Sequence, residues 1–578
     1  MALFAPSESP AVVVKEVDLT GIVPNVQSST GAYVGRFRWG PSGEARLISN
    51  EAGLVETYTA PDNAHSIDYH GASAFLQYSN SLQVVRMHNG ANNAHSGDSA
   101  SLAIAIGNET DFDAQLAALD SDNVGYIGKY PGELGNSLKL ETFAADASGS
   151  VSTFSSWPFA TFFDRAPGTS ATAAADTATH DEVHVAVVDE DGKFSGTKGT
   201  VLEVFPHVSV AENAKNTDGS TNYLKDVINR QSGYVWVADI TQLGLGNASG
   251  TATSPAKNYA TGRGASRVQT SLTDGDDGAA LTTGNYQSGF DLFEDPDIIE
   301  VDFLIAPGLG TSSDQVTVVN DLVATAQSKR KDCVVVTSPN RAAVVNNAAG
   351  AVAAVAAGVA NFTKSSYLVV DNNYLKIYDK HNDKFIFIPA ASSTAGIMAA
   401  TDRNAAPFFS PAGTRRGQYL GVTALAYNPN KADRDTHYKI GVNPVANLPG
   451  QGILLFGDKT HQDRPSAFDR INVRRLFLVI ERAISTAAKA TIFEFNDEFT
   501  RAEFQGIVEP VLRNIQGRRG ITDFKIVCDE TNNGPEIVDT NQFVANIFIK
   551  PARSINFITL NFVGVRSGVE FREVVGTI

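Results

Sequence analysis

Cysteine is almost absent from this chain. Only Cys333 and Cys528 occur among its 578 residues, which is too few for a disulfide framework or for a metal site built from thiolates. The sequence therefore predicts a protein of a reducing compartment, or a particle whose durability comes from the assembly of many subunits.

Long apolar segments are missing as well. The chain begins MALFAPSESPAVVVKEV, which has neither the basic start nor the apolar core of a secretory signal. The most apolar stretch, residues 342–360, consists mainly of Ala, Val and Asn. It falls short of the roughly 18 strongly apolar residues that a membrane span needs and predicts a buried helix. We expect a soluble protein that is not secreted through a cleaved signal and does not insert into a membrane.

Motifs of the common catalytic classes are missing too. The chain contains no HExxH, CxxC or GxSxG, so zinc hydrolase, redox and α/β-hydrolase functions lack their anchor residues. His180 and His184 have a metal-like spacing, but His184 opens a predicted strand, where the two rings would not share a face. We predict a protein that is not an enzyme, with no catalytic residue, no bound cofactor and no metal site.

Two turns offer weak signs of ligand binding. Gly308 and Gly310 lie between a predicted strand and a predicted helix, but the third glycine of a dinucleotide fingerprint and the lysine of a P-loop are missing. Residues 274–278, DGDDG, lack the ligand spacing and the terminal Glu of an EF-hand. We interpret the first as a plain βα turn and the second as a solvated turn.

Basic residues are outnumbered by acidic ones, and unevenly so. The chain has 46 Lys and Arg against 63 Asp and Glu, a net charge of −17, which argues against direct binding of nucleic acid. From Arg464 to Ile578 there are 15 basic and 14 acidic residues, so this block is near neutral and the remainder carries −18. A function for the chain has to explain this division.

Composition and periodicity divide the chain into segments. Its length suggests three to five domains at roughly 100–200 residues each. We predict an N-terminal arm (1–22), the N-terminal part of the body (23–90), an outer inserted β-rich module (91–225), an α/β domain (226–463), a C-terminal assembly domain (464–566) and a C-terminal arm (567–578).

The predicted α/β domain shows a strand–helix–strand unit. Residues 299–306 read as a largely buried strand, Ser312 or Ser313 caps an amphipathic helix, and residues 333–337 read as a second apolar strand. Such a unit implies a parallel sheet with a right-handed crossover. A long helix over residues 342–360 and three further strands are predicted to follow.

The C-terminal block is the most regular part. A helix is predicted from a stripe of apolar residues that runs from Val473 to Ile484. A second helix is predicted from a capping box of Thr500 and Glu503, with a bend at Pro510. Strands are predicted over residues 521–528, 543–550 and 555–565. Together these elements indicate a compact α+β domain.

Several motifs in this order resemble one family. They include YPGELGNSL at 130–138, FEFND at 493–497, QGRRGITD at 516–523 and FVANIFIKP at 543–551. These segments are similar to the contractile tail sheath proteins of T4-like myoviruses. The resemblance covers nearly the whole chain, is dense at the C-terminus and is loose between about residues 145 and 265.

The resemblance implies an α+β multidomain fold. Its parts would be an inner α+β assembly domain made from N- and C-terminal segments, a middle α/β domain subtilisin-like in shape, β-rich outer insertions, and extended terminal arms. The likeness to subtilisin is one of shape, because no Ser/His/Asp set is identifiable in this sequence.

The resemblance also implies a structural function in the virion. Hexameric rings of the subunit would stack helically around a tail tube, between baseplate and tail terminator proteins, after assembly in the host cytoplasm. The sheath would contract from a metastable extended state and drive the tube through the host envelope for genome delivery. The alternative is the sheath of a related injection particle, of the bacteriocin or secretion-system type.

Residues for these contacts can be named from the sequence. The arms would add strands to sheets of neighbouring subunits, and the candidates are Val12, Val13, Val14, Val17, Val569, Phe571 and Val574. Arg513, Arg518 and Arg519 cluster at the end of the second C-terminal helix, where they either compensate the helix dipole or face an acidic partner. In a sheath that partner would be the tail tube.

Overall fold

The computed structural model describes residues 29–97, 102–121, 124–248, 250–251, 257–489, 491–554 and 556. Within this part of the chain there are two compact units. The larger unit contains residues 29–407 and 411–482, and the smaller unit contains residues 408–410 and 483–556. Both cysteines are buried and unpaired.

The described residues form strands and helices that are mixed along the chain. The strands are β1 (Gly31–Gly35), β2 (Ala45–Ile48), β3 (Leu82–Arg86), β4 (Tyr126–Gly128), β5 (Leu138–Ala144), β6 (Glu182–Asp189), β7 (Thr200–Ser209), β8 (Val235–Val237), β9 (Arg267–Ser271), β10 (Phe303–Ile305), β11 (Val334–Thr337), β12 (Leu368–Asp371), β13 (Tyr374–Asp379), β14 (Lys384–Pro389), β15 (Ala424–Leu425), β16 (Val442–Asn443), β17 (Val445–Leu448), β18 (Gly452–Leu455), β19 (Ile521–Val527) and β20 (Asn546–Pro551). The α-helices are α1 (Glu51–Tyr58), α2 (Ser66–Leu76), α3 (Glu109–Ser121), α4 (Ala171–Ala175), α5 (Leu224–Gln231), α6 (Thr283–Asp291), α7 (Ser312–Ala324), α8 (Arg341–Val344), α9 (Ala351–Val359), α10 (Ala391–Asn404), α11 (Lys431–Lys439), α12 (Ile471–Lys489), α13 (Glu498–Gly517) and α14 (Pro535–Asp539). None of the described helices is both long and apolar enough to cross a membrane.

A seven-stranded sheet lies at the centre of the larger unit, in the order β16-β12-β11-β10-β1-β3-β2. Neighbouring strands run parallel, except that β2 pairs antiparallel with β3. One face of the sheet packs against α6, α7 and α9, and the other face packs against α1, α2 and α10. The predicted strand–helix–strand unit is confirmed, since β10, α7 and β11 follow one another and the two strands are parallel neighbours.

The N-terminal part of the body belongs to this sheet. Strand β1 lies between β3 and β10, so that Gly31 is opposite both Leu82 and Phe303. The described residues of the segment 23–90 therefore complete the α/β sheet. The inner domain of N- and C-terminal segments that the resemblance implied stays a prediction, because residues 1–28 lie outside the described part of the chain.

The N-cap of helix α7 lies one residue before the first of the two predicted caps. The hydroxyl of Thr311 accepts a hydrogen bond from the amide of Asp314, so Thr311, and neither Ser312 nor Ser313, is the N-cap. The buried stripe includes Val318, Val319, Leu322 and Val323. Beyond α7 the chain makes a π-helical turn, Thr325–Arg330, which ends at the left-handed residue Lys331.

The single helix predicted over residues 342–360 is broken into α8 and α9. Asn346 adopts a left-handed conformation between them, and the side-chain amide of Asn347 donates to the carbonyl of Ala343. Asparagine tolerates left-handed backbone and competes for helical carbonyls through its side chain. Because the segment is rich in Ala and Val, its composition predicted one continuous helix and not this break.

The inserted module is built on an antiparallel sheet, in the order β7-β6-β5-β9. Every residue of the central strand β6 is buried. Strand β9 pairs with β5, with Ser271 opposite Lys139, and β8 pairs with β4. Because β8 and β9 lie beyond residue 225, the predicted end of the module falls too early. The module continues at least to residue 271.

Two further antiparallel sheets belong to the larger unit, β14-β13-β15 and β17-β18. Strands β13 and β14 form a hairpin in which Lys376 is opposite Phe387 and Tyr378 is opposite Phe385. The side chains of Leu375, Ile377, Ile386 and Ile388 pack into a core with part of α10.

The smaller unit contains the end of α12, then α13, α14 and the antiparallel pair β19–β20. Helix α13 begins at Glu498, because the carboxylate of Asp497 accepts from the amide of Thr500 at 2.8 Å. The predicted capping box of Thr500 and Glu503 is therefore wrong by about one turn, while the helix itself is confirmed and continues through Pro510. Its buried residues include Phe504, Val508 and Leu512.

Some predicted elements lie outside the described residues. These are the N-terminal strand over residues 11–17, the C-terminal arm with its strand near residues 569–575, and nearly all of the predicted strand 555–565. The strand-addition candidates lie there as well, namely Val12, Val13, Val14, Val17, Val569, Phe571 and Val574.

Candidate assembly surfaces

The three predicted arginines lie around the C-terminal end of α13. The amide of Gly520 donates to the carbonyl of Ile515 at 2.9 Å, and the amide of Arg519 donates to that of Gln516 at 3.0 Å. These two bonds are the pair that defines a Schellman motif. In this motif the left-handed position is occupied by Arg519, whose φ is +69°, although glycine is the residue that adopts this conformation most easily.

The glycine of this cap is at the next position for a packing reason. A Cβ atom on Gly520 would lie 2.6 Å from Cγ2 of Ile515 and 2.9 Å from Cγ of Phe408. The chain thus uses glycine where space is tight and an arginine where the backbone is strained. A strained residue whose side chain is exposed is a reasonable candidate for a functional contact.

The other two arginines are held differently. Arg513 pairs with Glu509 one turn before it, with Nε 3.0 Å from Oε1, and both side chains face solvent. The guanidinium of Arg518 lies 5.5 Å from the centre of the Phe408 ring. Among the described residues, Arg519 has no ion-pair partner. The structure thus brings the three predicted residues to one exposed helix end, with Arg519 as the most available charge.

The β19–β20 sheet of the smaller unit has only two strands. Lys525 lies opposite Phe548, and a register shift occurs between Ile521 and Asp523. Within the described part of the chain, the outer edge of each strand pairs with no other strand. Phe548 is more than half exposed. A two-stranded sheet is marginal by itself, and its open edges offer main-chain donors and acceptors to added strands.

A junction inside the larger unit fastens the inserted module to the central sheet. The buried guanidinium of Arg86, at the end of β3, donates to the carbonyls of Phe37 (2.8 Å), Gly40 (2.6 Å) and Pro131 (2.5 Å). The first two carbonyls follow β1, and Pro131 belongs to the module. Burial lowers the pKa of Arg86 to about 10, so the side chain remains charged at neutral pH.

A histidine between two carboxylates strengthens this junction. Nδ1 of His65 lies 2.7 Å from Oδ1 of Asp62, and Nε2 lies 4.0 Å from Oδ2 of Asp277, where the module returns to the body. Burial alone would raise the pKa of Asp62, but the hydrogen bonds and the charge of His65 hold it well below its usual range.

This trio is the one group in the described residues whose atoms lie close enough to suggest metal ligands. Its carboxylates are already engaged, because Asp277 accepts from the amide of Glu133 at 2.8 Å and Asp62 lies 3.9 Å from Arg38. The arrangement is that of an ionic clasp. Sequence reasoning missed it because Asp277 is more than 200 positions away from His65.

The weak sequence candidates for ligand binding are occupied by internal contacts. Both ring nitrogens of His184 are engaged, one 2.8 Å from the carbonyl of Arg165 and the other accepting from the amide of His207 at 3.0 Å. Burial lowers the pKa of His184 to about 4. His180 stands in a left-handed turn, where its own amide donates to Thr169.

The two turns considered as ligand sites, at Gly308 and at residues 274–278, also make internal contacts. A Cβ on Gly308 would meet the hydroxyl of Tyr374 at 2.1 Å, and the amide of Leu309 donates to the side chain of Gln315 at 2.7 Å. The backbone at Gly308 is therefore covered by a side chain of the same unit, whereas a Cβ on Gly310 would meet nothing within 4 Å. In the acidic turn, the carbonyl of Gly275 accepts from Asn136 and the carbonyl of Asp276 pairs with the amide of Asn92.

Comparison with known proteins places this chain in a family. Residues 279–461 match the family model of the phage tail sheath protein central domain, and residues 463–563 match that of the phage tail sheath C-terminal domain. The chain is 32% identical to the tail sheath protein of Vibrio phage KVP40, over 98% of this chain and 99% of that one. It is 29% identical to the tail sheath protein of Enterobacteria phage T4, with the same coverage.

Solved structures agree on the fold. A sheath tail protein of Listeria innocua superposes with a TM-score of 0.56 at 12% identity, covering 93% of this chain and 94% of that one. A sheath tail protein of Desulfitobacterium hafniense gives 0.52 at 13% identity, covering 94% and 100%. With a relative above 30% identity along nearly its whole length, this chain belongs to the phage tail sheath protein family.

Proposed function

We propose that this chain is the structural subunit of a contractile phage tail sheath. Hexameric rings of the subunit stack helically around a tail tube and contract to drive the tube through the host envelope for genome delivery. The observation that carries this function is the match to phage tail sheath proteins over 98% of the chain. Those matches favour a phage tail over a bacteriocin or a secretion-system particle.

The surfaces of the smaller unit suit repeated assembly. The β19–β20 pair can receive a strand at each edge. The donors are the terminal arms of neighbouring subunits, through Val12, Val13, Val14 and Val17 at one end and Val569, Phe571 and Val574 at the other. Strand addition keeps subunits connected while the lattice changes, because the link is made by backbone hydrogen bonds along an extended segment.

The energy for contraction is stored during assembly. The extended sheath is a kinetic trap, and a change in the baseplate releases it. Subunits then move as largely rigid bodies into a wider and shorter lattice with more contact between them. This scheme requires no nucleotide, because assembly has already supplied the free energy. The working partners are other copies of this chain, the tube, the baseplate and the tail terminator, all in the virion.

Charge gives the subunit an inside and an outside. Residues 91–278 contain 24 acidic and 11 basic residues, a net of −13, whereas the C-terminal block is near neutral. The acidic module faces solvent, where repulsion delays lateral association of free subunits. The C-terminal block faces inward, with Arg513, Arg518 and Arg519 against an acidic tube surface. Strain at Arg519 supports this orientation, since the backbone tolerates an unfavourable residue there.

The experiment is assembly of the purified chain on its tail tube, followed by negative-stain electron microscopy. We expect sheathed tubes with sixfold end views from the wild type, and bare tubes from the triple reversal R513E/R518E/R519E. A matched control, K193E/K198E/K215E, makes the same charge change on exposed lysines of the inserted module and should assemble normally. A wild-type chain that stays monomeric under all assembly conditions would refute the sheath function.

A further inference from the structure

The segment that joins α12 to α13, together with the first residues of α13, exposes an unusual amount of apolar surface. The exposed fractions are 56% for Ile492, 103% for Phe493, 84% for Phe495 and 77% for Phe499. We call residues 491–499 the aromatic loop. A cluster of three phenylalanines on a surface marks an interaction site, because leaving such area in water is unfavourable.

The aromatic loop is held in place by hydrogen bonds at its base. The side-chain amide of Asn496 donates to the carbonyl of Gln542 at 2.8 Å, and its oxygen accepts from Arg501 at 3.1 Å. Asp497 caps the following helix. Phe493 has a φ of +74°, which is a strained value for an aromatic residue. The rings are therefore presented by a fixed and locally strained backbone.

Acidic residues interleave with these rings. Glu494 and Glu498 are exposed, and neither makes an ion pair within the described part of the chain. The aromatic loop thus combines apolar rings with two unpaired negative charges. A partner surface should offer the opposite charge beside exposed apolar or aromatic groups.

The outer face of the β13–β14 hairpin has these properties. Tyr378 and Phe385 are about half exposed, and their ring centres lie 5.5 Å apart. Nζ of Lys376 lies 5.2 Å from the centre of the Phe385 ring. Lys380 stands at the tip of the hairpin and pairs with Glu51 at 2.9 Å. Lys384 is opposite Asp379 on the other face, the one that carries Ile386 and Ile388, and its Nζ contacts the side chain of Asn63. We call Lys376, Tyr378, Lys380 and Phe385 the lysine face.

We propose that the aromatic loop of one copy of this chain docks on the lysine face of a second copy. The rings of the loop cover the Tyr378–Phe385 pair, and Glu494 and Glu498 meet the lysines. Since two different surfaces of the same chain are joined, the contact is heterologous and repeats from copy to copy, as rings and helical lattices require. The proposal rests on the proposed sheath function and names one contact within it.

Charge reversal on each side tests the contact. E494K/E498K gives a chain with two basic surfaces, and K376E/K380E gives a chain with two acidic surfaces. We expect each variant alone to raise the critical concentration for assembly at least tenfold, measured by sedimentation. K198E/K215E, on exposed lysines of the inserted module, should leave it unchanged. Melting temperatures of all variants check that the fold is retained.

An equimolar mixture of the two variants is the decisive arm. If the contact joins two copies, alternating subunits restore every loop-to-face pairing, and the mixture assembles near the wild-type concentration. Normal assembly of each variant alone would overturn the contact but leave the sheath function standing. Failure of the mixture to recover would also overturn it, because it would mean that the charges act within one copy or toward another partner.

Substitution of Phe493 separates docking from folding. Asparagine accepts left-handed backbone better than phenylalanine, so F493N should keep or raise the melting temperature while it weakens assembly several-fold. If assembly by F493N equals that of the wild type, the aromatic loop does not contribute to the contact.

Discussion

The inserted module and the smaller unit differ in how completely each satisfies itself. The module buries its own strands around β6, and its buried acids have internal partners, such as Asp189, whose carboxylate accepts from Ser137 at 2.6 Å. The smaller unit buries only one side of α13 and leaves Phe493, Phe495, Phe499 and Phe548 exposed. One region is suited to water, whereas the other is suited to being covered by neighbouring chains.

Charge follows the same division. The module carries most of the net negative charge of the chain, and the C-terminal block carries almost none. A strongly charged surface resists association, while a near-neutral surface with exposed rings favours it. The total of −17 therefore describes mainly the part of the subunit that we propose faces solvent.

The largest effect on stability is expected at Arg86, in the junction that fastens the inserted module to the central sheet. R86M removes a buried charge and leaves the carbonyls of Phe37, Gly40 and Pro131 without their donor. We expect the free energy of unfolding to fall by about 3–5 kcal/mol, measured by urea denaturation. The control R46M removes an exposed arginine beside Glu44 and should change it by less than about 1 kcal/mol. Equal effects of the two variants on the free energy of unfolding would show that the junction does not depend on Arg86.

The next largest effect is expected at Asp371, a buried acid of the central sheet, and it concerns the pH dependence of stability. Burial raises the pKa of Asp371 to about 7, although hydrogen bonds from Ser338, Asn373 and Thr394 act in the opposite direction. Because the folded pKa exceeds the unfolded one, the folded state binds more protons between about pH 4 and 7, and stability falls as the pH rises through this window. D371N should remove this slope.

The size of this effect can be bounded. At pH 8 we expect D371N to be more stable than the wild type, by up to about 4 kcal/mol for a shift of about three pH units. The measurement is urea denaturation of both proteins at pH 5 and pH 8. If the stability of the wild type relative to D371N does not decline from pH 5 to pH 8, the prediction is wrong. Ionisation of Asp371 would then cost little free energy of folding.

The packing of the arginine-bearing helix end gives a smaller effect. G520A would place a methyl group 2.6 Å from Ile515 and 2.9 Å from Phe408, so we expect a loss of about 1–3 kcal/mol. G517A, at a position where an added Cβ meets nothing within 4 Å, is the matched control. Thermal denaturation followed by circular dichroism compares them, and a silent G520A would contradict the tight packing of this cap.

The smallest effect should have the opposite sign. R519G relieves the left-handed strain at Arg519, so we expect stability to rise by about 1 kcal/mol, while binding to the tail tube weakens. R513A leaves the backbone strain in place and should not stabilise the fold. A variant R519G that binds tubes like the wild type would show that the strained arginine has no function in this contact.

Regular, locally patterned parts of the fold were predictable from the sequence. The strand–helix–strand unit of β10, α7 and β11, and helix α13, follow from apolar periodicity. Helix caps were misplaced, since Thr311 and Asp497 compete with nearby residues that are equally good caps. The break at Asn346 depends on a single residue inside an otherwise helical pattern.

Long-range pairings could not be predicted in the same way. The pairing of β1 with β10, and of β9 with β5, joins strands separated by more than 100 residues. The clasp of Asp62, His65 and Asp277 has the same origin. The arginine cluster was identifiable from its sequence, but the strain at Arg519 depends on how the helix ends, which composition does not encode.

Hydrogen–deuterium exchange of the free and assembled chain tests the central contrast most directly. We predict that assembly slows exchange in the aromatic loop, along β19 and β20 and in both terminal arms, and leaves the sheet of β5, β6, β7 and β9 unchanged. Protection that appears mainly in the inserted module, with exchange in the smaller unit unaltered, would contradict the assignment of the module to solvent and of the smaller unit to assembly.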